Sequence, residues 1–230
     1  MVSRYDRVET QYLTSGDFAA QKQLHTDYAR QTQLLVEDVL RLGKVTDEDI
    51  WARFYGYYRD STLQQLLCDV EERFSDLHDI EEQLTEAFHE LKKLMPETES
   101  PEVYAFVGSL NESILIHEQM LGISLDKYMG TDYPLYGTYG YSSRQRVTMT
   151  RQFIVPDCLI FYIVSRYPPT PQQLSDAALR KDHIGRVRHI VNKALKKQFF
   201  KGEEVDRASR YMLRHPDVSA DELMQLPQIN

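Results

Sequence analysis

Two His-Glu pairs invite a test for metal chemistry. His117-Glu118-Gln-Met-Leu121 and His89-Glu90-Leu-Lys-Lys93 each begin like HExxH, the zinc-peptidase signature. That motif works because two imidazoles at i and i+4 converge on zinc while the glutamate activates water. Leu121 and Lys93 occupy the second position, and one imidazole cannot replace two. His183 and His189 are six residues apart and fall on different faces of a helix. No zinc site is expected, and no other cofactor. The chain also lacks GxSxG, a Walker loop and GxGxxG.

The richest stretch runs from Leu125 to Tyr141, LDKYMGTDYPLYGTYGY. It places Asp126 and Asp132 among Tyr128, Tyr133, Tyr136, Tyr139 and Tyr141. Tyrosine offers a rigid apolar face with a polar tip, which suits recognition. Three readings follow: a packed loop whose hydroxyls and carboxylates cap turns, a Tyr-lined groove for a peptide or glycan, or a pair of carboxylates for acid/base hydrolysis. The candidate groove residues are Asp126, Tyr128, Asp132, Tyr133, Tyr136 and Asp157. Asp157 joins them from Val155-Pro-Asp157, where proline in a first helical turn would set the aspartate near the positive end of the helix dipole. A carboxylate mechanism would require Asp157 and either Asp126 or Asp132 to share one cleft.

The elements that must position these residues are mostly helical. Apolar residues from Phe18 to Leu42 recur at helical spacing, with Ser15 or Asp17 as N-cap and Gly43 as a stop. A second helix is expected from Thr46-Asp-Glu-Asp, carrying Ile50, Trp51, Phe54 and Tyr58. A third, capped by Asp60 or Ser61, carries Leu63, Leu66, Leu67 and Val70. Phe74 to Met95 shows the clearest stripe, ended by Pro96. Val103–Val107, Ser113–Ile116 and Leu121–Leu125 read as a small antiparallel sheet. Helix returns from about Ser142, through the apolar run Phe153–Val164, and then over Pro171–Arg180, Ile184–Phe200 and Val205–Leu213. The expectation is one α+β domain over 1–230: helical 1–98, sheet and Tyr-rich loop 99–141, helical 142–230.

Composition narrows the class. The 230 residues are 42% hydrophobic and 27% charged, ordinary for a folded chain and unlike a disordered one. No apolar run approaches the roughly 18–20 residues that a membrane-spanning helix needs. The net charge of −8 argues against general nucleic-acid affinity. That charge is uneven, with a net of +6 over residues 141–230 and −14 over the first 140. The basic part, with Lys193, Lys196, Lys197 and Lys201, could pack on acidic segments or face anionic headgroups. Cys68 and Cys158 fit no zinc or redox spacing, and whether they pair is left open. Residues 1–12 carry no export signal, so the chain is either cytosolic or shorn of one.

Several segments together resemble one family. Arg4-Tyr5-Asp6-Arg7, Asp76-Leu-His-Asp-Ile-Glu-Glu-Gln-Leu84, Pro101-Glu-Val-Tyr-Ala-Phe106, Leu125–Tyr136 and Ile154-Val-Pro-Asp157 are similar to the GldB family of gliding-motility-associated lipoproteins of Bacteroidetes-type bacteria. The resemblance runs from about Ser3 to Tyr167. It implies a lipid-anchored protein on the periplasmic face of the cell envelope, its signal and lipidated Cys preceding residue 2. It also implies a zincin-like relative, whose HExxH helix would be Gln152–Arg166 here. That segment contains no His, so no metal ligand carries over. The combined expectation is a non-catalytic envelope lipoprotein that binds an envelope protein or peptide through its Tyr/Asp loop. It would touch the membrane only through an anchor lying outside this sequence. The rival is a carboxylate-dependent hydrolase of peptide or cell-wall glycan.

Overall fold

Asp17 and Asp60 each start a helix, and Gly16 ends one. Helix α1 (Tyr5–Ser15) closes on Gly16, whose φ of 71° is left-handed. Asp17 then accepts from the Ala20 amide at 2.8 Å and opens α2 (Phe18–Thr26). Helix α3 (Ala29–Gln33) runs into a π-helical turn, Leu34–Val39. The single helix expected here is therefore broken. Tyr28 leaves helical geometry and sets its ring edge-on to Tyr5, while Thr32 Oγ1 donates back to the Leu24 carbonyl. Helix α4 (Ile50–Tyr57) begins after the Thr46-Asp-Glu-Asp turn. Asp60 caps α5 (Ser61–Arg73) through the Thr62 and Leu63 amides. Helix α6 (His78–Leu94) starts later than Phe74, because Phe74 caps the end of α5 and Asp76 accepts the His78 amide at the new start.

The computed structural model describes residues 1–229, which fall in two compact units. The first comprises residues 1–79 and 102–154. Its sheet has strands β1 (Glu102–Phe106), β2 (Ile114–His117) and β3 (Met120–Ser124) in the order β1-β3-β2. The β2–β3 hairpin is antiparallel, but β1 pairs with β3 in parallel, so the sheet is mixed and not antiparallel throughout. Burial explains this order. All five β3 residues are buried, as a central strand requires, whereas β2 is partly exposed and suits an edge. Gly122 opens the middle of β3. A Cβ there would lie 2.7 Å from the Tyr104 ring, so only glycine lets that ring cross the strand. Ser3 brackets the far side of β1, exchanging bonds with Val103 and Ala105.

After β3 come a 3-10 turn (Leu125–Tyr128), α7 (Pro134–Thr138) and α8 (Ser143–Arg146). Helix α9 (Ile154–Arg166) leads into the second unit, residues 80–101 and 155–229 of the described chain. There α10 (Pro171–Ser175), α11 (Ala177–Ala194), α12 (Glu203–Arg214) and α13 (Ala220–Gln225) follow. Helices α11 and α12 approach so closely at Gly185 that an added Cβ would meet the Glu204 carbonyl oxygen at 2.6 Å. Cys68 is exposed in the first unit and Cys158 buried in the second, and both are free thiols. No helix among the described residues is long and apolar enough to cross a membrane.

Candidate functional site

The loop that follows β1 needs unusual support. Ser109 and Leu110 have φ of 53° and 63°, two consecutive left-handed residues without glycine's freedom. Both are buried, so their amides and carbonyls must find partners inside the protein. Two buried carboxylates hold the amide of Leu110 and those of its neighbours Val107 and Gly108. Asp126 accepts from the Leu110 amide at 2.5 Å, the Gly108 amide at 3.2 Å and Ser124 Oγ at 2.5 Å. Glu9, from α1, accepts from the Val107 amide at 2.9 Å, and Tyr58 donates to the Val107 carbonyl at 2.6 Å.

Tyrosines complete the frame. Tyr141 donates to the Leu110 carbonyl at 2.6 Å and receives a bond from Lys127 Nζ. Tyr136 donates to the Asp126 carbonyl and accepts from the Met129 amide, both at 2.8 Å. Tyr133 donates to Asp69 at 2.8 Å. The hydroxyls of Tyr57 and Ser109 are 3.1 Å apart.

The named candidates thus divide. Asp126, Tyr128 and Tyr136 are buried, Tyr133 is partly buried, and Asp132 is exposed just before α7. These five belong to the first unit. Asp157 lies in the first turn of α9, in the second unit, placed as dipole matching would have it. Asp126 directs both oxygens at the chain's own donors, so its carboxylate acts as a clamp for the 107–110 loop. Around that loop the exposed surface carries Tyr139, 44% exposed, with half-buried Tyr57 and Tyr141.

Sequence reading missed Glu9, Tyr57 and Ser109, and placed Tyr58 only on the apolar face of its helix. Glu9 gave no signal, since an acidic residue on a helix is ordinarily solvated, yet here it is fully buried. Burial pushes its carboxyl well above the usual range, and the nearby Asp6 and Asp126 charges push it further, against the Val107 amide. Burial also raises Asp126, but three donors oppose the shift. Burial thus raises both carboxyls, Glu9 the more strongly.

A pH dependence follows. Folded Glu9 holds a proton that the unfolded chain releases near pH 4.5, so its contribution is complete below that value and is lost as pH rises toward the folded pKa. Glu9→Gln keeps a carbonyl for the Val107 amide and cannot ionise. Its melting temperature should gain on wild type as the pH rises above 4.5. Parallel curves would show that Glu9 ionises freely in the fold.

Metal and partner chemistry are sparse elsewhere. His117 ends β2, and Glu118 beyond it has φ of 50° and pairs with Arg30. His89 lies within α6. Among the described residues no three His, Cys, Asp or Glu side chains gather as a metal site would require. No curated protein and no solved structure matches the chain. One family model does match, over residues 1–184, and so spans the whole clamped loop, the sheet and α9. On that match the chain belongs to the gliding motility protein GldB family.

Proposed function

We propose that this chain is a non-catalytic, lipid-anchored component on the periplasmic face of the cell envelope, and that it binds another envelope protein or a peptide. The zincin-like ancestry implied by the sequence resemblance belongs to this proposal, with α9 in the place of the metal-bearing helix but without histidine. Family membership supports the envelope and gliding-motility setting. Gliding itself is a property of a whole cell.

One observation carries the binding role. Buried Asp126 spends its acceptors on holding a left-handed loop. A loop fixed in this way anchors Tyr57 through Ser109 and Tyr141 through the Leu110 carbonyl, with exposed Tyr139, Asp132 and Asp60 in the same unit. Pre-ordered aromatic side chains lose little entropy on binding, and tyrosine is enriched where interfaces concentrate their energy.

A photo-crosslinking residue at position 139, expressed in living cells, tests this. The expected result is a discrete adduct with an envelope protein, at least tenfold weaker when Tyr57→Ala is added. The same residue at exposed Leu174, in the other unit, should give none. No adduct from 139, or equal adducts from both positions, would overturn the binding surface. A stoichiometric divalent ion in the purified chain, removed by chelator with a fall in melting temperature, would overturn the non-catalytic reading.

A further inference from the structure

The second unit contains two adjoining hollows of opposite character. One, of about 460 Å³, is walled by Leu94, Ile190, Met212, Val218 and Leu223. Leu213, 79% exposed, stands at its edge. The other, of about 500 Å³, is bordered by charged side chains, Lys193, Lys196 and Lys197 with the carboxylate of Asp206. His189, Lys193 and Ser209 line both, so the two adjoin along these side chains. Each is in the size range of small-ligand sites, roughly 300–1,000 Å³.

The lysines are not equivalent. Lys196 is held by Glu86 and Glu90, both at 3.2 Å, and Lys93, on the apolar side, is held by Glu90. Lys193 is exposed in the last turn of α11 and pairs with no carboxylate among the described residues. Lys197 Nζ rests over the Phe199 ring, 5.3 Å from its centroid. Among the described residues neither Lys193 nor Lys197 forms an ion pair, and both stand beside an apolar wall. His189 between them is neutral at physiological pH, since burial and the Lys193 charge bring it down to about 4. A neutral imidazole can border an alkyl chain without the desolvation cost of a charge.

We propose that the paired hollows bind a single-chain anionic amphiphile, with its alkyl tail against Leu94, Ile190, Met212 and Leu223 and its head at Lys193 and Lys197. Charge complementarity selects the occupant. A neutral apolar ligand would leave the lysines unused, and a multivalent anion would leave the apolar wall open to water. Most of the wall, from Ile190 onward, lies beyond the family match, so this is a property of this chain's own C-terminal segment.

Calorimetric titration of the full chain with octanoate, decanoate and decanol, all kept below micelle formation, tests the proposal. Decanoate should bind saturably at one site, and octanoate more weakly, by roughly fourfold per methylene removed. Lys193→Gln should weaken decanoate about tenfold and leave decanol unchanged. Ser209→Trp, which fills the junction from a partly exposed position, should abolish binding without lowering the melting temperature. Absence of saturable decanoate binding to wild type would overturn the site. So would binding indifferent to both substitutions. Sedimentation with anionic phosphatidylglycerol vesicles in the absence of decanoate binding would assign the lysines to a membrane surface and equally overturn it.

Discussion

Asp126→Ala is expected to destabilise the first unit by about 3–5 kcal/mol, a melting shift on the order of 10 °C for a chain of this size. The substitution removes one side chain but strands three buried donors: the Gly108 and Leu110 amides and Ser124 Oγ. Each unsatisfied buried group costs about 1–3 kcal/mol. The Gly108 amide keeps a partial partner in Ser124 Oγ at 3.1 Å, which holds the total below the sum of three full penalties. Backbone strain adds a second contribution, because Ser109 and Leu110 stay left-handed only while their surroundings force them to.

Asp126→Asn should recover little. Its carbonyl oxygen can serve one amide, but its NH2 then confronts the other donor. Ser124→Ala should cost about 1 kcal/mol, since Asp126 keeps both amides. Chemical denaturation of the three variants, with amide exchange read at Gly108 and Leu110, checks the argument. Accelerated exchange confined to that loop would identify Asp126 as its clamp. A near-native melting temperature for Asp126→Ala would mean that water fills the cavity and satisfies the donors.

The clamp shows what sequence patterning can and cannot reveal. Asp60 before Leu63, Leu66, Leu67 and Val70 is a local signal, and it gave α5 with the expected cap. The stripe through Ile80, Leu84, Phe88 and Leu91 likewise gave α6. The Tyr/Asp stretch stood out by composition, but its role depended on chain segments far away. The bond from Asp126 to Leu110 spans 16 residues, and that from Glu9 to Val107 spans 98. The parallel β1–β3 pairing has the same origin. Alternation reports strands, but insertion of β3 between β1 and β2 depends on how deeply each is buried. The C-terminal hollows were illegible for a related reason. Lys93 and Leu223 line one cavity from positions 130 residues apart, and no local pattern links them.

The C-terminal end of the second unit rests on one guanidinium, and Arg186→Met is expected to cost about 3–5 kcal/mol. Arg186 is fully buried on α11 and pairs with Asp182, one turn earlier, at 3.2 Å. Its Nη1 also donates to the carbonyls of Leu223 at 2.9 Å and Leu226 at 2.6 Å, which end α13. Burial raises the Asp182 carboxyl and lowers the Arg186 guanidinium, each opposed by its partner's charge. Desolvation thus outweighs attraction, and the pair itself adds little to stability. Losing one member is costly because the other remains buried and uncompensated. The double variant Asp182→Leu/Arg186→Met should therefore be more stable than Arg186→Met alone. It should still fall short of wild type, because the Leu223 and Leu226 carbonyls keep no donor. A double-mutant cycle by chemical denaturation measures both differences. Additive losses would show that Asp182 and Arg186 act independently, and a double variant equal to wild type would show that water satisfies the α13 carbonyls. Since Leu223 also walls the apolar hollow, Arg186→Met should weaken decanoate binding through the position of α13, with no charge lost from the head-binding lysines.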